Sequence, residues 1–321
     1  MSRLPIFLLM SLAMSAQIAQ AADDEMQITP AAAVYKLRVK RAGHIADGSA
    51  VLVAPGRLLT ACHVTRGAES IKVGREEVTW RAYPARIDID HDLCVLTVAE
   101  LSAARPAVIG PTEGLRIGEP VRAIGYPRGG RLDVSYGEIK GLHPYDDATV
   151  LQVSAAFDHG QSGGGLFDAA GRLIGIIGFK AVAGGDFNYA LPLAWAGDAI
   201  PGQGATPLVP APEQRAFWQR TDEARRPLFL RAASLEANRD WEGLRNVARQ
   251  WVATDTYNPA PWLCLGRAWR KLGHEHTAAL AFAQAEWLMA PLAAKPIPAV
   301  VLNNQADATP TAVASAQPAR Q

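Results

Sequence analysis

The chain has almost no net charge, no spanning-length apolar run and no metal-ligand motif, and each absence removes a class of function. Its 321 residues hold 32 basic and 31 acidic side chains for a net +1, so there is no basic field for nucleic acid. The N-terminal apolar run, Ile6 to Met14, falls well short of the roughly 20 residues of a membrane-crossing helix. No other segment is a candidate span. His274-Glu275-His276 lacks the HExxH spacing and a third ligand, so it reads as a polar turn between helices, and no metal or other cofactor is expected. Cysteine is scarce, three in all. The tail from Pro291 has no aromatic residue and is rich in Ala and Pro, which predicts disorder over 292–321.

What is present is ordinary globular material, 49% hydrophobic and 20% charged, in a chain long enough for more than one domain. Residues 1–21 have the parts of a secretory signal: Arg3, the apolar run, then Ala19-Gln20-Ala21 before Asp23-Asp24-Glu25. The expected address is periplasmic or secreted, with 22–33 as an N-terminal segment.

From Val34 the side chains alternate, with Tyr35, Leu37 and Val39 against Lys36, Arg38 and Lys40, the period of a half-buried strand. Short strands follow at 49–53, 57–60, 71–73, 78–82, 85–89 and 93–98. A second set runs through 121–124, 132–135, 138–142, 149–153, 166–167, 173–177 and 187–191. Strands at this spacing without helices between them predict two antiparallel barrels. The Pro-, Gly- and Ala-rich stretch from Gly197 breaks the pattern and predicts a linker over 197–225. Beyond it the period becomes helical, with helices expected at 226–238, 241–254, 260–272 and 275–289.

The chemistry centres on Gly160-Gln161-Ser162-Gly163-Gly164. A serine between glycines can sit on a tight, partly left-handed turn with backbone N–H groups converging beside it. Taken alone, the motif also fits a plain turn or the elbow of an α/β-hydrolase. The latter needs a helix after the serine and a later histidine. Here a strand follows, and the later histidines, His274 and His276, lie in the helical region. Upstream, His63 ends the run Leu58-Leu59-Thr60-Ala61-Cys62-His63, and Asp92 opens Asp92-Leu93-Cys94-Val95-Leu96. Asp88 and Asp90 compete with Asp92, which alone directly precedes the apolar strand.

Taken together, TACHV, DLCVL, AIGYP and GQSGGGL, in that order, resemble TNxHVV, DLAVL, AIGxP and GNSGGPL of the chymotrypsin-like serine proteases, HtrA-type branch. The likeness covers about 34–195, and NYALP is similar to the family's closing FAIP. It implies an all-β double barrel, a serine endopeptidase activity, and a triad of His63 as base, Asp92 as its orienting acid and Ser162 as nucleophile. The N–H groups of Gly160 and Ser162 would form the oxyanion hole. By the same likeness Ala156 and Phe157 would stand where the family builds the floor and wall of its specificity pocket, and the lack of an acid there predicts a small or medium apolar preference. Asp158 and His159 read as loop residues. Gly165 replaces the family's proline and would loosen the turn, while Gln161 in place of an aspartate argues against activation by a freed N-terminus.

In that fold the His63 and Asp92 segments pack together, which brings Cys62 and Cys94 within disulfide reach; Cys264 would be a buried helix residue. The helical region resembles tetratricopeptide repeats, because an offset of 34 residues aligns two copies and Trp262, Leu265, Gly266, Trp269, Ala278 and Phe282 follow that pattern. The resemblance implies an all-α repeat module over 226–291 that contacts protein. Trp251, Trp262 and Trp269 are expected in its core. The expected partners are a protein or peptide substrate and a protein held by the repeats. The alternative keeps the fold without catalysis, as a silent scaffold that binds a partner.

Overall fold

In the computed structural model the described residues are 30–181, 187–199, 215–222 and 225–290, with two short paired strands at Val300–Val301 and Thr311–Ala312. The expected signal segment, most of the expected linker and nearly all of the expected disordered tail lie outside them.

Alternation builds the first barrel. In β1 (Val34–Arg41) Leu37 and Val39 are buried while Arg38 and Lys40 face solvent. β2 (His44–Ala54), β3 (Arg57–Ala61), β4 (Ser70–Arg75), β5 (Val78–Asp88) and β6 (Leu93–Thr97) close around it in the order β1-β2-β3-β6-β5-β4. A four-residue helix, α1 (Cys62–Thr65), leaves the end of β3. The second barrel comprises β7 (Pro120–Gly125), β8 (Asp133–Tyr145), β9 (Ala148–Val153), β10 (Gly165–Asp168), β11 (Leu173–Lys180) and β12 (Asn188–Pro192), closed as β10-β11-β12-β9-β8-β7.

Two pairs of expected strands are each one long strand. Pro84 lies inside β5, where the pairing with β6 shifts between Pro84 and Arg86, so a bulge absorbs the residue that looked like a break. Gly137 lies inside β8, paired with Val121; a Cβ there would stand 2.1 Å from Ala155 N, so this glycine permits close approach.

Four helices follow: α2 (Leu228–Ala237), α3 (Trp241–Thr254), α4 (Pro259–Lys271) and α5 (Glu275–Met289). Asp240 caps α3 through Gly243 N, and Asn258 caps α4 through Ala260 N with Pro259 in the first turn. His274 precedes α5, its ring edge-on to Trp269. Gly266 lies where a Cβ would meet the Phe282 ring at 2.6 Å, which sets the close packing of α4 on α5.

These helices pack on the second barrel. The buried His143 of β8 stacks on Phe229 at 4.5 Å and meets Trp251 at 5.6 Å. Asn258 Nδ2 also donates to Leu142 O at 3.3 Å. A cavity of about 450 Å³ remains between barrel and helices, lined by His143, Phe229, Trp251, Cys264 and Arg267 among others. Burial pushes the Cys264 thiol up to about 11, which keeps it protonated and unreactive. Part of the expected linker is not free: Phe217 is fully buried and its N–H donates to Asp90 O at 2.8 Å. Proline and glycine content signalled a break in periodicity there, and the aromatic pair within it found a place on the barrels.

Candidate active site

The ends of β3 and β6 are paired, Ala61 opposite Leu93 and Thr60 opposite Cys94, so the residues just beyond them are neighbours. Cys62 N donates to Asp92 O at 2.9 Å. Cys62 and Cys94 form a disulfide across this pair, 32 residues apart in sequence. The chain then turns into α1 and presents His63. Asp92 ends a turn closed by its own N–H to Ile89 O and adopts φ 60°, a left-handed conformation that aspartate tolerates better than most residues.

The Asp92 carboxylate is fully buried, and its oxygens are taken by directed donors. Oδ1 accepts from His63 N at 2.7 Å; Oδ2 is 2.6 Å from His63 Nδ1 and accepts from Trp218 Nε1 at 3.0 Å. The contact of Nδ1 with the carboxylate fixes the orientation of the ring and leaves Nε2 on its far edge. Asp88 and Asp90 have other work. Asp88 holds His91 through its backbone N–H and its Nδ1, and Asp90 pairs with Arg220.

Ser162 lies on the seam between the barrels. Its carbonyl accepts from Ser49 N at 2.9 Å, while Ser49 Oγ donates to Gly160 O at 2.8 Å. Ser49 is fully buried and also accepts from Tyr126 N on Oγ and from Thr60 Oγ1 on its carbonyl, tying the serine turn to both barrels. Gly163, at φ 85°, lies where a Cβ would be 2.2 Å from Thr60 Oγ1 and 3.0 Å from Ala61 N, so the turn abuts the end of β3 that carries His63.

Two backbone N–H groups face away from their anchored carbonyls. His159 O is held by Arg128 N at 2.6 Å and Gln161 O by Gly164 N at 2.8 Å. In a trans peptide the N–H opposes its carbonyl, so Gly160 N–H and Ser162 N–H point the other way. Among the described residues neither has a protein acceptor. Gly160 itself sits at φ 93°, with room for a Cβ taken by Arg128 N and Tyr126 O.

Residues 48–176 match the family model described as a trypsin-like peptidase domain. The chain is 32% identical over 160 residues to Protease Do-like 1 of Arabidopsis thaliana, covering 45% of this chain and 36% of that protein. It is 34% identical over 152 residues to the serine protease Do-like HtrB of Bacillus subtilis, covering 42% and 32%. The solved HtrA-type protease AlgW with tripeptide shares 32% identity at a TM-score of 0.50, over 54% of this chain and 60% of that one. The barrels are similar to HtrA-type trypsin-like peptidase domains. The match spans about a third of the length of these curated relatives.

Within the peptidase domain the remaining expected site residues separate. Ala156 is exposed, with its carbonyl accepting from Ser135 Oγ. Phe157 is buried in the cluster of the second barrel, and Lys180 Nζ lies 5.9 Å from its ring centroid. Asp158 and His159 lie in a loop between β9 and β10. Asp158 Oδ2 pairs with Arg128 Nη2 at 2.9 Å and its Oδ1 accepts His159 N, and these contacts, the backbone one first, hold the carboxyl below its ordinary range. Gly165 opens β10 rather than extending the turn, and the Phe167 ring fills the place of its Cβ at 2.3 Å. Sequence reasoning missed Ser49 and Trp218. The signal for Ser49 was its place at the head of the β2 apolar run; a tryptophan in a proline-rich stretch was the signal for Trp218.

Proposed function

We propose that this chain is a serine endopeptidase in which His63 is the general base, Asp92 orients and stabilises its imidazolium, and Ser162 attacks the scissile carbonyl. The reading is carried by the buried Asp92 carboxylate bonded to His63 Nδ1 at the seam where the GQSGG turn lies. The N–H groups of Gly160 and Ser162 receive the developing oxyanion, a contribution typically worth on the order of 10² to 10³ in rate per donor. Ala156, the exposed member of its pair, fits a pocket for a small or medium apolar side chain. The protein acts after export, its N-terminal segment being the signal. The four helices are two tetratricopeptide-like repeats that hold a protein partner, a reading supported by the Gly266–Phe282 packing.

The test is covalent labelling of the exported chain by a fluorophosphonate together with casein cleavage. Both are expected in the native chain and absent in Ser162→Ala. His63→Ala should lose nearly as much as Ser162→Ala, because the three residues act as one unit. A native chain that neither labels at Ser162 nor cleaves casein or peptides would leave the partner-binding scaffold as the function.

A further inference from the structure

We propose that Trp218 is a positioning residue of the catalytic unit, supplied by the segment that joins barrels to helices; the proposal rests on the protease reading above. A buried carboxylate is tolerated only when its oxygens are satisfied, and the indole Nε1–H of Trp218 is a donor to Asp92 Oδ2, the same oxygen that holds His63 Nδ1. Indole nitrogen donates and never accepts, so this contact pins the carboxylate without competing for the histidine proton. The ring is fixed on two sides. It stacks on Phe179 at 4.7 Å with planes 6° apart, and it meets the His63 ring edge-on at 5.5 Å.

The segment bearing Trp218 is anchored to the residues around the triad. Phe217 N donates to Asp90 O, and Arg220 pairs with the Asp90 carboxylate, two positions before Asp92. Arg220 also donates to Tyr145 Oη at 3.4 Å. On the opposite side Arg66, which caps α1 just after His63, donates to Gln219 Oε1 at 3.3 Å. The segment thus grips the acid side and the base side together, a short way ahead of α2. Attachment of the helices and the geometry of the Asp92–His63 pair meet in one stretch of backbone.

Trp218→Phe in the full chain keeps the stacking ring and removes the donor. It should lower kcat about ten-fold or more, the rate equivalent of a lost hydrogen bond to a charged acceptor, with KM unchanged because the indole nitrogen faces Asp92 rather than substrate. The downfield proton resonance of the His63–Asp92 bridge should shift or broaden. A variant with native kcat and a native bridge resonance overturns the proposal. If the native chain proves unreactive to fluorophosphonate, the protease reading fails, and the resonance alone decides whether Trp218 positions the pair. If the variant does not fold, exchange of the indole proton in the native chain decides: slow exchange supports the bond to Asp92, and free exchange removes it.

Discussion

Gly160 and Gly163 show how narrowly the serine turn is specified. Both have positive φ, and at Gly163 a Cβ would lie 2.2 Å from the backbone oxygen of Ser49, an atom that cannot step aside. Gly163→Ala is therefore expected to displace the Ser162 N–H and lower kcat by roughly 10² or more, with far-UV circular dichroism unchanged; native kinetics would contradict the geometry. His91 behaves differently. Burial depresses its basicity, but hydrogen bonds and charge from Asp88 and Asp146 outweigh that and raise it. A raised value means the protonated ring stabilises the fold fully below its ordinary 6.5, and this stabilisation is lost as pH rises through the folded value. Asp146→Asn should cost stability in mildly acidic buffer, measured by urea denaturation, and the difference should fade at alkaline pH.

The paired ends of β3 and β6 lead into His63 and Asp92, and the disulfide clamps that pair of strands. Closing a 32-residue separation constrains the unfolded chain by roughly 3–4 kcal/mol on the loop-entropy account. The Cys62→Ala, Cys94→Ala double variant is expected to unfold at lower urea by about that amount, with little change in kcat because Cys62 N→Asp92 O and both His63–Asp92 contacts do not involve sulfur. Non-reducing peptide mapping of protein purified without reductant should recover the cross-linked pair, and two free thiols would contradict it.

At the scale of the whole molecule, the helices and the second barrel share one core through His143. Burial holds this ring down to about 4 from its ordinary 6.5, despite the hydrogen bond to Gln152. The unfolded chain takes up a proton as pH falls below 6.5 while the folded chain resists until about 4. Stability therefore declines across that window as acid is added, by about 3 kcal/mol at its lower end. His143→Phe should keep the stack on Phe229 and flatten this slope, read from urea midpoints at neutral pH and near the lower end of the window. Phe229→Ala removes the barrel's partner in that stack and is expected to cost about 3–5 kcal/mol. One cooperative transition for barrels and helices together is expected in the native chain.

The period-two runs, the turn residues between them and the switch to helical period were local properties, so the sequence by itself determined two sets of strands followed by four helices. The order of His63, Asp92 and Ser162, each set in its own short motif, was legible for the same reason. Tertiary structure decided what depends on distant partners. Pro84 and Gly137 looked like breaks because local rules forbid or disfavour them in strands, yet a bulge and a close backbone approach kept β5 and β8 whole. Ser49 joined the serine turn through partners on both barrels, and Trp218 reached Asp92 across 126 positions of chain. Such contacts leave no periodic trace, because a hydrogen bond between remote segments is set by how the barrels pack.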